Sequence, residues 1–484
     1  MQRISHEFCG GEYVSKKNAW DVSGSVGGLL NGPAAQAQFT TLATFDGTHG
    51  GNPDLMTLVQ GFDGNLYGTT RYGGTSTEGV VFKISGGALS VLHNFTGMPD
   101  GSYPVAGLLV NTHGDLLGTT ETGGKNNAGT VFKFKSKGGA YSILHSFTGV
   151  DGYIPDAPLI QVGGKFYGTT SAGGTAAQRN VFSTTGAGAV ASLYSFVGYP
   201  TDGAVPRAPL LQGFDGNFYG TTEEGGTIGT SGGMVFKMNS HGKETVLQSF
   251  SIASAPFAGL VQGLDGSFYG TTWEGGNFNA GTIFMITPDG KTLTTIHHFG
   301  QGNNDGAEPY AGLVLASDGN LYGVTSAGIG ITNEYGTIYR IAPGGSNYQI
   351  LYDFTNTTDG ANPRGGLLQG TDGAFYGTTD RGGITNDTSC LDGGTCGVVF
   401  KFDVGLGPFV KTLPGHGKTG AAVVILGNNF SGACSASFNG TAAACHIVSS
   451  TEITTKVPAG ATTGYVTVTT NGGVLTSNVP FRVP

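Results

Sequence analysis

The stretch that determines the fold is Asp63-Gly64-Asn65-Leu66-Tyr67-Gly68-Thr69-Thr70, in which a turn leads directly into a short apolar strand. Variants of this stretch return six times along the chain. The glycine in its sixth place recurs at positions 68, 118, 168, 220, 270, 323 and 377, so successive copies are 50, 50, 52, 50, 53 and 54 residues apart. Seven copies at a nearly constant period indicate an array of identical structural units.

Each unit contains four candidate strands. In the first unit they are Thr57–Gln60, Leu66–Thr70, Val80–Ile84 and Leu89–Phe95. The Asp-Gly pair between the first two strands is a strong hairpin signal. The strands are continuous apolar runs, a pattern typical of sheets that are covered on both faces. Four-stranded units that cover one another in this way predict a β-propeller.

The two ends of the array predict how the propeller closes. A strand of the fourth type, Phe39–Phe45, precedes the first unit, whereas the last unit stops after its third strand, Val398–Phe402. The N-terminal strand can complete the last blade and leave no exposed edge. We therefore predict an all-β chain with a seven-bladed propeller over residues 39–403, whose innermost strands line an axial channel. After a linker at 404–408, short strands over 409–484 predict an immunoglobulin-like β-sandwich.

Composition and charge exclude several classes of function. The formal net charge is −9 and no basic stripe is present, which argues against nucleic acid and anionic membranes as partners. No apolar run reaches the 18 residues or more that a transmembrane helix needs. Residues 1–38 combine a basic start with a weak apolar patch and Ala35-Gln36-Ala37. This leader is interpreted either as a degenerate export signal or as a disordered segment.

The cysteines favour an oxidising compartment. Cys390 and Cys396 bracket a short loop, and Cys434 and Cys445 lie close together in the C-terminal region, so two local disulfides are predicted. Neither pair has a second CxxC motif or a histidine at the spacing that a zinc site requires. An extracellular or cell-surface location is expected.

Two resemblances to known families follow from these residues. The phrase Asp-Gly-x-Phe/Tyr-Tyr-Gly-Thr-Thr-x-x-Gly-Gly, with its Val-Phe-Lys and Leu-x-x-Phe strands, resembles the GloVer-type tandem-repeat ("choice of anchor") family over residues 39–403. Segments Gly420–Phe430, Ser435–Thr441, Ser449–Pro458 and Ala459–Thr470 are similar to an IPT/TIG immunoglobulin-like module. The first resemblance implies an exported or surface bacterial protein, and the second a spacer or interaction domain. Neither implies catalytic residues or a cofactor.

Positions that vary among the units are the candidates for a site. The repeated hairpin aspartates could be read as calcium ligands, but one carboxylate per turn falls short of the six to eight oxygens that calcium takes, so turn chemistry is the better interpretation and no metal is predicted. The two residues after each Thr-Thr pair vary and should surround the face that carries the longer loops. The predicted ligand-binding residues are Arg71, Tyr72, Glu121, Glu223, Glu224, Trp273, Glu274, Asp380 and Arg381.

Carboxylates beside exposed aromatic rings suit sugars, whose apolar faces stack on rings while their hydroxyls meet charged acceptors. We therefore expect a monomeric, non-enzymatic binding or adhesion module with a glycan or a surface protein as its partner. The alternative is an extracellular carbohydrate-active enzyme in which Glu223 and Glu274, on adjacent blades, are the acid and base of glycoside cleavage. Solvated variable loops without a binding role are the third interpretation.

Overall fold

The computed structural model of the chain describes residues 37–135, 139–173, 179–227, 232–251, 254–302, 305–329, 334–383, 390, 395–432, 434–471 and 473–484. The regular secondary structure in these ranges consists of β-strands, as predicted. Of the predicted leader, residues 1–36 lie outside the described residues, and Gln38 already belongs to a strand.

Within the described ranges the repeats form seven antiparallel four-stranded sheets, numbered here by the repeat that supplies their first strand. The first strands are Val59–Gln60, Leu109–Val110, Ile160–Val162, Leu211–Gln212, Val261–Gln262, Val314–Leu315 and Leu368–Gln369. The second strands are Leu66–Thr70, Leu116–Thr120, Lys165–Thr170, Phe218–Thr222, Phe268–Thr272, Leu321–Thr325 and Phe375–Thr378. The first strands are shorter than the predicted apolar runs, because only two or three residues of each pair with the second strand.

The other two strands of each sheet complete the four-stranded pattern. The third strands are Val80–Ser85, Thr130–Phe134, Asn180–Thr184, Met234–Met238, Thr282–Ile286, Thr337–Ile341 and Val398–Asp403. The fourth strands are Ala88–Asn94, Tyr141–Ser146, Val190–Ser195, Glu244–Ser249, Leu293–His298, Gln349–Asp353 and, for the seventh sheet, Gln38–Thr44 from the N-terminus. In every sheet the register between third and fourth strands shifts by one residue, and the N-terminal strand reproduces this bulge between Thr41 and Ala43.

The repeated glycine before the threonine pair is explained by packing between strands of one sheet. A Cβ atom at Gly68 would lie 2.7 Å from the ring of Phe82 on the paired third strand, and one at Gly270 would lie 2.6 Å from Phe284. The second and third strands are buried along most of their length. The continuous apolar runs therefore do mark strands covered on both faces.

Side-chain hydrogen bonds join each sheet to the next. Threonine hydroxyls of second strands bond to the backbone of the following repeat, as Thr69 Oγ1 does to Ala106 O at 2.9 Å. Glutamines of first strands accept from the preceding hairpin, as Gln369 Oε1 does from Ser317 N at 2.9 Å. The same bond joins the seventh sheet to the first, where Thr371 N donates to Gln60 Oε1 at 3.1 Å.

The C-terminal region forms two four-stranded sheets around a common core that includes Val423, Ile425, Phe438 and Val468. In sheet order the strands are Lys411–Leu413, Ala422–Leu426, Glu452–Lys456 and Cys445–Ser449, then Thr441–Ala443, Ser435–Phe438, Val466–Thr470 and Gly473–Thr476.

Among the described residues, this sandwich forms hydrogen bonds with the hairpin turns of three sheets. Phe409 N donates to Thr371 O at 3.0 Å, and Thr451 Oγ1 donates to Phe62 O at 2.7 Å. The guanidinium of Arg482 donates to Gly213 O at 3.0 Å. Turns of the seventh, first and fourth sheets therefore meet one domain. The end of the molecule that carries the Asp-Gly turns, the hairpin end, is in this way partly covered.

Candidate functional site

The longer loops at the other end, the long-loop end, are joined in pairs by a hydrogen bond that recurs in all seven repeats. The N–H of the first residue after each threonine pair donates to the carbonyl of the residue before a repeated proline, at 3.0–3.2 Å, as in Arg71 N to Asn52 O. This bond brings two variable positions together. The post-threonine positions are Arg71, Glu121, Ser171, Glu223, Trp273, Ser326 and Asp380, and the post-proline positions are Asp54, Val105, Asp156, Arg207, Phe257, Tyr310 and Arg364.

In all seven repeats, the residue whose carbonyl accepts this hydrogen bond has a positive φ angle. Ile154 (57°) and Val205 (58°) adopt this left-handed conformation although both are β-branched, and both precede proline. Branched residues strongly disfavour positive φ, so the backbone at this end is strained. In the first and fourth repeats the post-proline side chain also pairs with its post-threonine neighbour, Asp54 with Arg71 and Arg207 with Glu223.

The first charged network links the seventh, first and second repeats. Arg71 pairs with Asp54 (Nη1 to Oδ2, 3.0 Å) and with Glu121 (Nη2 to Oε2, 3.1 Å). Arg364 approaches the other oxygen of Asp54 at 3.5 Å. Burial raises the pKa of Glu121, and the charge of Arg71 opposes that shift. The carboxylates of this network are therefore largely paired with arginine side chains.

The second network is centred on Arg207. Its Nε lies 3.0 Å from Glu223 Oε2 and 3.8 Å from Asp156 Oδ2. Asp156 is only 4% exposed, and neither of its carboxyl oxygens accepts a hydrogen bond of ordinary geometry from the described residues. Burial raises the pKa of Asp156 to about 7, against the opposing effects of Arg207 and Ser171. Burial also raises the pKa of Glu223. The Asp156 carboxyl group is therefore expected to change its protonation state near neutral pH.

Three aromatic rings lie beside these charges. Trp273 packs against Tyr310 with ring centroids 5.1 Å apart, and Phe257 meets the edge of Tyr310 at 5.6 Å. Arg207 lies over Phe257 at 5.5 Å and Arg364 lies over Tyr310 at 5.1 Å. These cation–π contacts fix the directions of both guanidinium groups.

A cavity of about 240 Å³ lies among the post-proline residues and the starts of the first strands. Six of the seven repeats contribute to its wall. Its polar side chains include Asp156, Arg207, Tyr310 and Arg364, whereas Phe257 and several prolines and leucines supply apolar surface. Such a combination of apolar walls with a few polar groups is typical of small-molecule sites.

The structure distributes the predicted site residues unevenly. Arg71, Glu121 and Glu223 belong to the charged networks, and Trp273 packs on a residue of the cavity wall. The other five lie around this centre. The ring of Tyr72 meets Tyr103 edge-on, Glu224 and Glu274 accept threonine hydroxyls through their backbone oxygens, Asp380 lies 3.9 Å from Arg381, and Arg381 is exposed.

Glu223 and Glu274, the predicted catalytic pair, share no contact within the described part of the chain, and Glu223 pairs with Arg207 instead. The post-proline residues were missed by the sequence analysis, which considered variation only after the threonine pairs. The same criterion, variation directly after a repeated proline, would have found them. The backbone bond that joins the two loops brings them close to the post-threonine positions.

Both predicted disulfides are present. Cys390 is bonded to Cys396, and Cys434 is bonded to Cys445. Among the described residues, no three or more His, Cys, Asp or Glu side chains are grouped as metal ligands would be. The hairpin aspartates serve the turns. Asp63 accepts from Asn65 N at 3.2 Å and from the Tyr67 hydroxyl at 2.8 Å. The described ranges also contain no helix of the length and hydropathy needed to cross a membrane.

Comparison with known proteins places this architecture in a family. Residues 22–182, 56–277, 163–328 and 256–425 match the Gloeobacter/Verrucomicrobia repeat, and residues 410–483 match the IPT/TIG domain. The chain therefore belongs to the Gloeobacter/Verrucomicrobia repeat family and carries a TIG domain after its repeats. Both resemblances expected from the sequence are confirmed. None of the curated proteins compared with the chain matches it.

Two solved structures of low identity are similar to this chain. One is a fungal alcohol oxidase of the AA5 family in complex with copper, 14% identical, TM-score 0.48, with 92% of this chain and 99% of the oxidase covered. Another is an extracellular domain assigned to a hybrid two-component system of B. thetaiotaomicron, 11% identical, TM-score 0.49, with 93% of this chain and 59% of that chain covered. At these scores neither ligand nor reaction transfers to this chain.

Proposed function

We propose that the seven sheets are the blades of one closed propeller in an extracellular protein. Three observations support closure: the glutamine bond from the seventh sheet to the first, the N-terminal strand in the seventh sheet, and a cavity to which six repeats contribute. The bonded cysteine pairs and the TIG domain support an extracellular location. Residues 39–403, 404–408 and 409–484 remain the proposed propeller, linker and TIG boundaries.

The function that the geometry supports best is non-enzymatic recognition of a glycan at the long-loop end. The cavity carries this proposal, because it combines two guanidinium groups, a buried carboxyl and aromatic walls at positions that vary among the repeats. Sugars need both polar donors and acceptors and an apolar surface for their C–H faces. The TIG domain would then act as a spacer or a second interaction surface.

Binding of the full-length chain to a glycan array, with affinities measured by calorimetry, tests this function. We expect Trp273→Ala to weaken binding by about tenfold or more, because the indole supports the Tyr310 wall. Phe278→Ala is the matched control, since this ring is 49% exposed on the same loop and does not line the cavity. Equal losses in both variants, or no binding of any glycan, would contradict the proposal.

Glycoside cleavage stays the second candidate, and one observation favours it. Burial raises the pKa of Asp156 to about 7 and that of Glu223 above its ordinary value, which is the direction that a general acid requires. Release of reducing ends from polysaccharides measures this activity. Turnover that disappears in Glu223→Gln, Glu274→Gln or Asp156→Asn would make the protein an enzyme.

A further inference from the structure

Only some of the charged groups at the long-loop end line the cavity. Asp156, Arg207 and Arg364 line the cavity, whereas Asp54 and Glu223, their ion-pair partners, do not. A ligand in the cavity therefore meets two guanidinium groups and a single carboxyl group directly. Asp54 and Glu223 form their ion pairs with the arginines outside the lining of the cavity.

Both arginines keep hydrogen-bond donors for a ligand. Arg207 Nε is close to its carboxylates without a hydrogen bond of ordinary geometry, and no hydrogen bond within the described ranges uses Nη1 or Nη2. Arg364 Nη1 lies 3.5 Å from Asp54 Oδ1, which is long for a charged hydrogen bond. The rings of Phe257 and Tyr310 hold both groups in fixed orientations. Donors that are oriented before binding lower the entropy cost of recognising an anion.

Below pH 7, Asp156 adds little negative charge to this wall. Burial raises its pKa to about 7, so below that pH the carboxyl is mainly protonated and uncharged. A neutral carboxyl can donate a hydrogen bond as well as accept one. It can therefore contact a bound carboxylate or a sugar hydroxyl without repelling the ligand.

Building on the glycan-binding function, we propose that the cavity selects acidic sugars and binds the carboxylate of a uronic acid residue through the guanidinium groups of its wall, Arg207 and Arg364. The planar guanidinium fork matches a carboxylate better than it matches a hydroxyl. The apolar part of the wall, which includes Phe257, Pro158 and Pro209, faces the C–H groups of the sugar ring. A cavity of about 240 Å³ suits one sugar residue at the end of a chain rather than a long groove-bound segment.

Calorimetry with the full-length chain tests this selectivity at pH 6 and low salt. The probes are trimers of galacturonate, mannuronate and guluronate, each compared with its methyl ester, and neutral xylotriose. The ester keeps the sugar ring but removes the charge. We expect at least one acidic trimer to bind tenfold or more tightly than its ester, and its affinity to fall as salt is raised.

Variants separate the charged contact from general packing. Arg207→Gln and Arg364→Gln should each reduce binding of the acidic trimer by tenfold or more and leave ester binding nearly unchanged. Lys291→Gln removes the same charge at a side chain that is 83% exposed in a strand-connecting turn, and should change neither. Far-ultraviolet circular dichroism and a thermal melt verify that each variant is folded.

The outcomes distinguish this inference from the function on which it depends. Equal binding of acid and ester, or a preference for xylotriose, would overturn acidic-sugar selectivity and leave glycan recognition intact. Binding of no array glycan and no trimer would overturn both. If the arginine variants lose affinity for the acid and for the ester by equal amounts, these side chains shape the cavity and do not recognise the charge of the ligand.

Discussion

The two ends of the seven-sheet body use the same repeat in opposite ways. At the hairpin end the repeated aspartate makes nearly the same bonds in most copies. Asp215, for example, accepts from the hydroxyl of Tyr219 at 2.9 Å and from Lys237 Nζ at 2.7 Å. At the long-loop end, equivalent post-proline positions hold Asp, Val, Arg, Phe or Tyr. The repeated contacts belong to residues that build each sheet, whereas the positions where side chains differ on the same backbone are the candidates for a site.

The largest expected effect concerns the buried carboxyl of the long-loop end. Burial raises the pKa of Asp156 from 3.8 to about 7, so its protonated form stabilises the fold below pH 3.8. This stabilisation is lost as the pH rises from 3.8 through 7, by up to about 4 kcal/mol. Urea unfolding of the wild type and Asp156→Asn between pH 4 and 8 measures it. The variant should lack this slope, and parallel curves would show that Asp156 titrates normally.

The next effect concerns the packing that every repeat shares. Gly270→Ala should destabilise the protein by about 2–3 kcal/mol, because the new Cβ would lie 2.6 Å from the ring of Phe284. Gly344→Ala is the matched control, since a Cβ there meets no atom within 4 Å and its φ is not positive. Unfolding in urea at pH 7 compares the two. Similar midpoints would mean that the repeated glycine serves another purpose.

The smallest effect compares tyrosine hydroxyls at the two ends. Tyr219→Phe should cost about 1 kcal/mol at pH 7, because it removes a hydrogen bond to the charged Asp215. Tyr72→Phe, at the long-loop end, should cost less, since within the described residues its hydroxyl makes no hydrogen bond.

The stability lost in Tyr219→Phe should depend on pH in a definite direction. Although burial opposes it, bonds from Lys237 and Asn217 hold the pKa of Asp215 at about 2. The stabilisation from this carboxylate is present above pH 3.8 and is lost as the pH falls from 3.8 through 2. The Tyr219→Phe difference, measured by thermal melts, should shrink over the same interval. A constant difference would mean that the hydroxyl does not depend on the charge of Asp215.

Much of the architecture could be predicted because it is local and repeated. The Asp-Gly hairpins, the buried strands and the seven-fold period each follow from residue types at fixed spacing, and Phe39–Phe45 was recognised as a fourth-type strand. The short length of the first strands was not predicted, because only a few of their residues pair.

The sequence by itself determined the repeat, the all-β fold, the family and which positions vary. Only the tertiary structure decided which variable residues meet. Arg71 and Glu121 are 50 residues apart in the chain, and Arg364 is 310 residues from Asp54, yet both pairs are in contact. The physical reason is that a repeat array makes neighbours of distant residues through backbone pairing and strained turns. Side-chain spacing along the chain carries no record of that geometry.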